Sequence, residues 1–157
     1  MLLTEIHEID LANWWFGEPK EVFCSGGIFG NEDIDVEDTA HLTIRYPTFD
    51  VQINLYFMQR RNHRSIFVGG DLGCIKWNQL ENRLVHEDYT SGQITDVAIP
   101  DFKMDDMFVS QAKQFILDNG AVSTQNQIYA AYWSQLIVQA VKKSMEEGRF
   151  VMVTDAD

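Results

Sequence analysis

Two stretches of this chain alternate strictly between apolar and polar residues. Ala40, Leu42, Ile44 and Tyr46 fall on one face with His41, Thr43 and Arg45 opposite. After the turn Pro47-Thr48-Phe49-Asp50, the residues Val51, Ile53, Leu55 and Phe57 alternate with Gln52, Asn54 and Tyr56. A period of two with a polar opposite face predicts an antiparallel hairpin covered on one side only. Before it, residues 4–16 take helical spacing, with Ile6, Ile9 and Asn13/Phe16 on one face and Leu11, Trp14 and Trp15 widening the apolar surface. Gly17 is expected to cap that helix in a left-handed conformation, and Pro19 to stop it. A short strand is expected at Glu21–Ser25, then an exposed loop from Gly26 to Asp38, rich in glycine and acid.

Further strands are expected at Ser65–Val68 and Cys74–Trp77, around a Gly69–Gly73 turn needing positive φ, and at Arg83–Asp88 and Gln93–Ile99. The chain then turns helical. Asp105 or Asp106 can cap a helix carrying Phe108, Ala112, Phe115 and Ile116, closed by Asn119-Gly120. Thr124-Gln125-Asn126-Gln127 fits a capping box opening a longer helix to about Glu147. Its first half, from Ile128 to Val138, is apolar nearly all round, which predicts burial. Gly148 ends it, and Phe150–Val153 reads as a last strand or docking tail. The result is an α+β fold: a two-layer domain over residues 1–157 with a mostly antiparallel open sheet of about six strands, covered on one face by helices.

Composition narrows the function classes. The 157 residues suit one domain, and 45% apolar content suits a packed core. The net charge of −12 repels phosphate backbones and anionic lipid, which argues against nucleic-acid or membrane-surface binding. No apolar stretch approaches the ~20 residues of a membrane span, and the first residues lack a basic leader, so a cytoplasmic setting is expected. The two cysteines, Cys24 and Cys74, lie in apolar strand-like runs without CxxC spacing, which predicts buried free thiols.

Few residues carry chemistry by spacing alone. His7 is an early-helix histidine beside Glu8, a surface or core-edge position unless something else marks it. Asp10 lies three residues on, on roughly the same helical face, where it can orient the imidazole, bind a ligand, or be a solvated acid or helix–loop contact. Gln59-Arg60-Arg61-Asn62-His63-Arg64 holds three of the 12 basic residues. Guanidinium forks there would suit a carboxylate or phosphate, and a solvated hairpin turn is the alternative. His41, His63 and His86 do not converge at metal-ligand spacing. The glycine runs at 25–30 and 69–73 do not stand between a strand and a helix, and no GxGxxG does, so no nucleotide-binding turn is read.

A set of short motifs adds to this. Glu5-Ile6-His7-Glu8-Ile9-Asp10, Trp14-Trp15-Phe16-Gly17-Glu18, Asp35-Val36-Glu37-Asp38-Thr39-Ala40, Gln59-Arg60-Arg61 and Gly70-Asp71-Leu72-Gly73-Cys74-Ile75-Lys76-Trp77 occur in that order. Order and spacing resemble the C-terminal, substrate-binding and oligomerisation half of the glucose–fructose oxidoreductase / inositol dehydrogenase / MocA (Gfo/Idh/MocA) family. Members of that family carry a Rossmann nucleotide-binding domain before this half, and its Glu-Lys-Pro segment has no counterpart here. The resemblance implies half of an NAD- or NADP-dependent sugar or cyclitol dehydrogenase, inactive alone and binding no cofactor itself. His7 would face the substrate hydroxyl as proton relay, and Asp10, Gln59 and Arg60 would contact a small sugar-like substrate. Many members place Asp four residues before the histidine; here that residue is Leu3, with Thr4 and Glu5 the nearest polar neighbours. The resemblance further implies a homo-oligomer through the sheet face, with contacts on strands 40–46 and 51–57 and on Cys74–Trp77, and a separate Rossmann-domain chain as a possible partner. The alternative is a non-catalytic α+β module that dimerises or binds a small polyol.

Overall fold

The computed structural model describes residues 2, 5–30, 35–99, 101–117 and 128–154. The chain falls into two compact units, residues 1–58 with 122–157 and residues 59–121.

The first unit holds α1 (Ile6–Phe16), β1 (Glu21–Gly27), β2 (Thr39–Arg45), β3 (Asp50–Tyr56), α3 (Ile128–Glu147) and β8 (Val151–Met152). Its strands form an antiparallel sheet in the order β3-β2-β1-β8. The alternation read from sequence is the alternation of burial. Ala40, Leu42 and Ile44 are buried on β2, while His41, Thr43 and Arg45 on the other side are only half-buried. Val22, Cys24, Ile53 and Leu55 extend the inner face, and α1 (Ile9, Ala12) and α3 (Leu136, Ile137, Val138, Val141) cover it in one core. Each valine, leucine or isoleucine among them contributes roughly 1.5–3 kcal/mol on removal from water, before conformational entropy is counted. Helices therefore lie on one face, and the other face carries mostly polar side chains, with Phe23 packed on Phe150 as an exception.

Two details correct the sequence reading here. Asp38, expected in an exposed loop, is fully buried. Its carboxylate accepts the N–H groups of Gly30 (2.7 Å) and Phe29 (2.8 Å) and the Thr39 hydroxyl (2.9 Å), so a loop that runs beside the sheet is tied to it by a charge. The first half of α3, expected to be buried, is largely exposed: Ile128 is 89% and Tyr129 60% accessible. Burial starts at Ser134. The tyrosines there carry polar ends that work at the surface, and the Tyr129 hydroxyl donates to Glu18 at 2.7 Å. Gly17 has positive φ as expected, at φ 75 and ψ −154, a conformation essentially confined to glycine and distinct from the helical left-handed one. Its N–H closes α1 on the Asn13 carbonyl at 2.8 Å.

The second unit holds β4 (Ser65–Gly70), β5 (Gly73–Asn78), β6 (Arg83–Asp88), β7 (Ile94–Ala98) and α2 (Met104–Leu117). The four strands form a separate antiparallel meander in sequence order, so the eight strands among the described residues divide between two sheets of four, where one open sheet of about six was expected. Both later hairpins are closed by Asx turns. Asn78 Oδ1 accepts the Leu80 N–H (2.9 Å), and Asp88 Oδ1 accepts the N–H groups of Thr90 (2.8 Å) and Ser91 (3.0 Å). None of Gly69, Gly70 and Gly73 has the positive φ expected of that turn. Gly73 is required for a different reason: a Cβ there would sit 2.3 Å from the Glu87 carbonyl oxygen. Every described residue of α2 is exposed. The Asn119-Gly120 closure of α2 and the capping box at 124–127 lie outside the described residues, as does Thr4 at the expected helix start.

Candidate functional site

The candidate residues distribute over both units. His7 and Asp10 lie in the first turns of α1, in the first unit, and Gln59 and Arg60 open the second.

On α1 the apolar positions Ile9 and Ala12 turn toward the core, and this fixes where the neighbouring residues point. His7 is exposed. Asp10, about 60° round the helix from it, is half-buried and faces α3. The Asp10 carboxylate accepts the Ser134 hydroxyl at 2.8 Å, across 124 residues of sequence. Ser134 is 2% accessible, and its oxygen also lies 3.2 Å from the Ala130 carbonyl of its own helix. One turn further along α1, Asn13 Nδ2 donates to the same Ala130 carbonyl at 3.4 Å. A polar seam therefore runs along the α1–α3 contact, with Asp10 oriented by it and His7 at its exposed edge. Of the readings open for Asp10, neither a solvated acid nor a helix–loop contact describes it; it is a helix–helix contact.

Ser134 was missed by the sequence reading. The available signal was a single hydroxyl inside the run Tyr132-Trp133-Ser134-Gln135-Leu136-Ile137-Val138. A serine that a helix carries into a core needs a partner, because an unpaired buried hydroxyl is costly.

The basic run from Gln59 is a turn that holds itself. Gln59 Nε2 donates to the Arg61 carbonyl at 2.7 Å, which commits one donor of that amide to the turn. His63 Nε2 lies 3.2 Å from the Ser65 hydroxyl, and the Arg64 guanidinium sits over the Trp77 ring at 5.6 Å. Arg60 is exposed. Chemically the run offers cations to solvent, the arrangement a solvated turn and an anion contact have in common.

Both cysteines are buried and unpaired. Burial pushes the Cys24 thiol up to about 11, against a smaller opposing effect of its backbone hydrogen bond. Such a thiol is protonated and unreactive near neutrality. Among the described residues no group of histidines, cysteines and carboxylates could hold a metal ion, and no helix is long and apolar enough to cross a membrane.

Residues 1–76 match the family model described as the GFO/IDH/MocA C-terminal domain. The resemblance carried by the motifs is thereby borne out over that stretch. No curated protein matches the sequence. Among solved structures, levoglucosan dehydrogenase in its apo form is similar over 97% of this chain, with a TM-score of 0.80 and 17% identity. The WlbA dehydrogenase from Bordetella pertussis, in complex with NADH and UDP-GlcNAcA, is similar over 98%, with a TM-score of 0.67 and 15% identity. The super-repressor mutant of Gal80p from Saccharomyces cerevisiae is similar over 98%, with a TM-score of 0.71 and 12% identity. At these identities the likeness is one of fold. The chain spans about half the length of these proteins, 50%, 44% and 49% respectively.

Proposed function

We propose that this chain, akin to the C-terminal domain of Gfo/Idh/MocA oxidoreductases, is the substrate-binding and assembly half of an NAD(P)-dependent sugar or cyclitol dehydrogenase. The observation that carries the reading is the α1 arrangement: an exposed imidazole with an oriented carboxylate one turn away, in the segment that matches the family model. A nicotinamide held by a separate nucleotide-binding domain would supply the hydride chemistry. This chain's part would be to take the proton from the substrate hydroxyl at His7 and to hold the substrate. Imidazole suits the first task because it exchanges protons in the pH 5–8 range. Asp10, with one oxygen occupied by Ser134, keeps its other oxygen for a hydroxyl of a polyol. Arg60 and Gln59 would contact a more distant, anionic part of the substrate. Residues 1–157 would then act as one C-terminal-type domain that assembles through its sheet face in the cytoplasm, inactive until joined to a nucleotide-binding domain.

The test is NAD(P)-dependent oxidation of a panel of hexoses, cyclitols and UDP-sugars by the two halves together. His7→Ala should lower kcat by 10²–10⁴-fold, the usual worth of a positioned proton carrier. Arg60→Ala should mainly raise KM, because a distal charge contact acts about equally in ground and transition states. Near-wild-type turnover of His7→Ala in a folded protein would remove the catalytic reading.

A second reading, a non-catalytic module, is favoured by one observation: the same fold occurs in the Gal80p super-repressor. It predicts no turnover on any substrate of the panel with either cofactor.

A further inference from the structure

The α1–α3 seam contains a hydroxyl with more acceptors than protons. Ser134 Oγ lies 2.8 Å from Asp10 Oδ1 and 3.2 Å from the Ala130 carbonyl, and its single O–H serves one of them at a time. The carboxylate is both the nearer and the charged acceptor, so it takes the proton. The Ala130 carbonyl keeps the helix N–H of Ser134 and the Asn13 amide at 3.4 Å. The two ends of the Asp10–Ser134 bond differ in setting. Ser134 is 2% accessible, whereas Asp10 is half-buried at the edge of the contact. Among the described residues Asp10 has no other hydrogen-bond partner, so its Oδ2 is uncommitted.

We propose that Ser134 is a positioning residue for Asp10: it holds the carboxylate by Oδ1 and so presents Oδ2, one helical turn from His7, to a single hydroxyl of a bound polyol. This rests on the reading of α1 as a substrate site and adds the group that sets its geometry. An unheld aspartate samples several χ1 and χ2 rotamers, and a ligand must order it on binding. Here a buried hydroxyl does the ordering before the ligand arrives, which is how preorganisation contributes to affinity. A purely structural role, a clasp between two helices, predicts something else. Losing a clasp is costly when it strands a buried polar group. Loss of the Ser134 hydroxyl strands none, because the Asp10 carboxylate is open to water and the Ala130 carbonyl retains its other donors. Ser144 contrasts with it on the same helix: it is fully buried, and its hydroxyl serves the Cys24 N–H and the Arg149 carbonyl.

Ser134→Ala, Ser134→Thr and Ser144→Ala, each checked for folding by circular dichroism, separate the two roles. The first readout needs no ligand: three-bond NMR couplings to the Asp10 carboxyl carbon report its χ1 rotamer. The expected result is one rotamer in wild type, Ser134→Thr and Ser144→Ala, and rotamer averaging in Ser134→Ala, whose urea midpoint falls less than that of Ser144→Ala. The second readout is titration of the chain with myo-inositol, glucose and UDP-glucose, followed at the backbone amides of residues 7–10. The dissociation constant of whichever compound binds should rise roughly three- to tenfold in Ser134→Ala, the cost of ordering about one side chain. It should return toward wild type in Ser134→Thr and stay unchanged in Ser144→Ala. A single Asp10 rotamer in Ser134→Ala, or an unchanged dissociation constant, overturns the positioning role and leaves α1 standing as a substrate site. No saturable shift at these amides in wild type with any of the three compounds overturns the substrate-site reading, and the positioning role falls with it.

Discussion

Ser144 should be among the most sensitive positions of the first unit, although it belongs to no candidate site. β8 pairs with β1 only at Glu21 and Val22, so among the described residues the edge of β1 beyond them has no strand beside it. Continuing the register would set Cys24 opposite Arg149. The Ser144 hydroxyl stands between them instead, accepting the Cys24 N–H at 2.9 Å and donating to the Arg149 carbonyl at 2.6 Å. It is fully buried. Ser144→Ala removes both bonds at once and leaves a buried amide N–H and a carbonyl unpaired. An unsatisfied buried donor costs about 1–3 kcal/mol, and the carbonyl, with a second lone pair, less. A loss of about 2–3 kcal/mol follows, or roughly 5–10 °C in Tm for a domain of this size. Urea unfolding monitored by far-UV circular dichroism measures it, and amide exchange at Cys24 localises it: protection there should fall more than at Leu42, whose strand pairs on both sides. Ser110→Ala on the exposed helix α2 is the control and should change stability by less than ~0.5 kcal/mol. A Ser144→Ala protein within 0.5 kcal/mol of wild type would show that the hydroxyl bridge contributes nothing net, and that water or a small shift of residue 149 replaces it.

Two other expectations are simpler to test. The Cys24 thiol is raised to about 11 and the Tyr46 phenol to about 12, both chiefly by burial, from ordinary values of 9.0 and 10.0. Groups whose pKa is raised in the folded state give stability that is complete below the unfolded value and is lost as pH rises through the folded one, so the urea midpoint should fall between about pH 9 and pH 12. Cys24→Ala should flatten the lower part of that fall, and an unchanged pH profile would refute the assignment. The chain alone should not bind NADH tightly, because the pyrophosphate is ordinarily held by a glycine turn opening a helix, and the sequence has no GxGxxG in such a context. A micromolar dissociation constant by NADH fluorescence would contradict this.

What was legible in the sequence was whatever local spacing dictates. The alternation at Ala40–Tyr46 gave the strand, its buried face and its open face together, because a period of two leaves no other way to bury those residues. The motif around His7 placed the imidazole and Asp10 on one helix. What stayed hidden was decided by contacts distant in sequence. Asp38 reads as one more acid in an acidic loop; only the backbone N–H groups folded around it turn it inward. The Gly69–Gly73 run suggested a turn needing positive φ, whereas Gly73 answers to the Glu87 carbonyl one strand away. The first half of α3 was expected to be buried on its apolarity alone, and apolarity by itself does not compel burial.

The hydroxyls of α3 show where a local rule could have reached further. Ser134 and Ser144 lie ten residues apart on the one helix that packs against both α1 and the sheet, and both are buried. Each interrupts an otherwise apolar face, and each is used by another element: Ser134 by the Asp10 carboxylate, Ser144 by the open edge of β1. A helix that carries hydroxyls into a core does so only where a partner from elsewhere is waiting, since the unpaired group would cost more than the alanine that could replace it. Such serines mark the points where the helix makes bonds as well as buries surface. In this chain one point sets the stability of the sheet edge and the other the orientation of the carboxylate beside His7. Damage at Ser144 should therefore appear in unfolding, and damage at Ser134 in the geometry of α1.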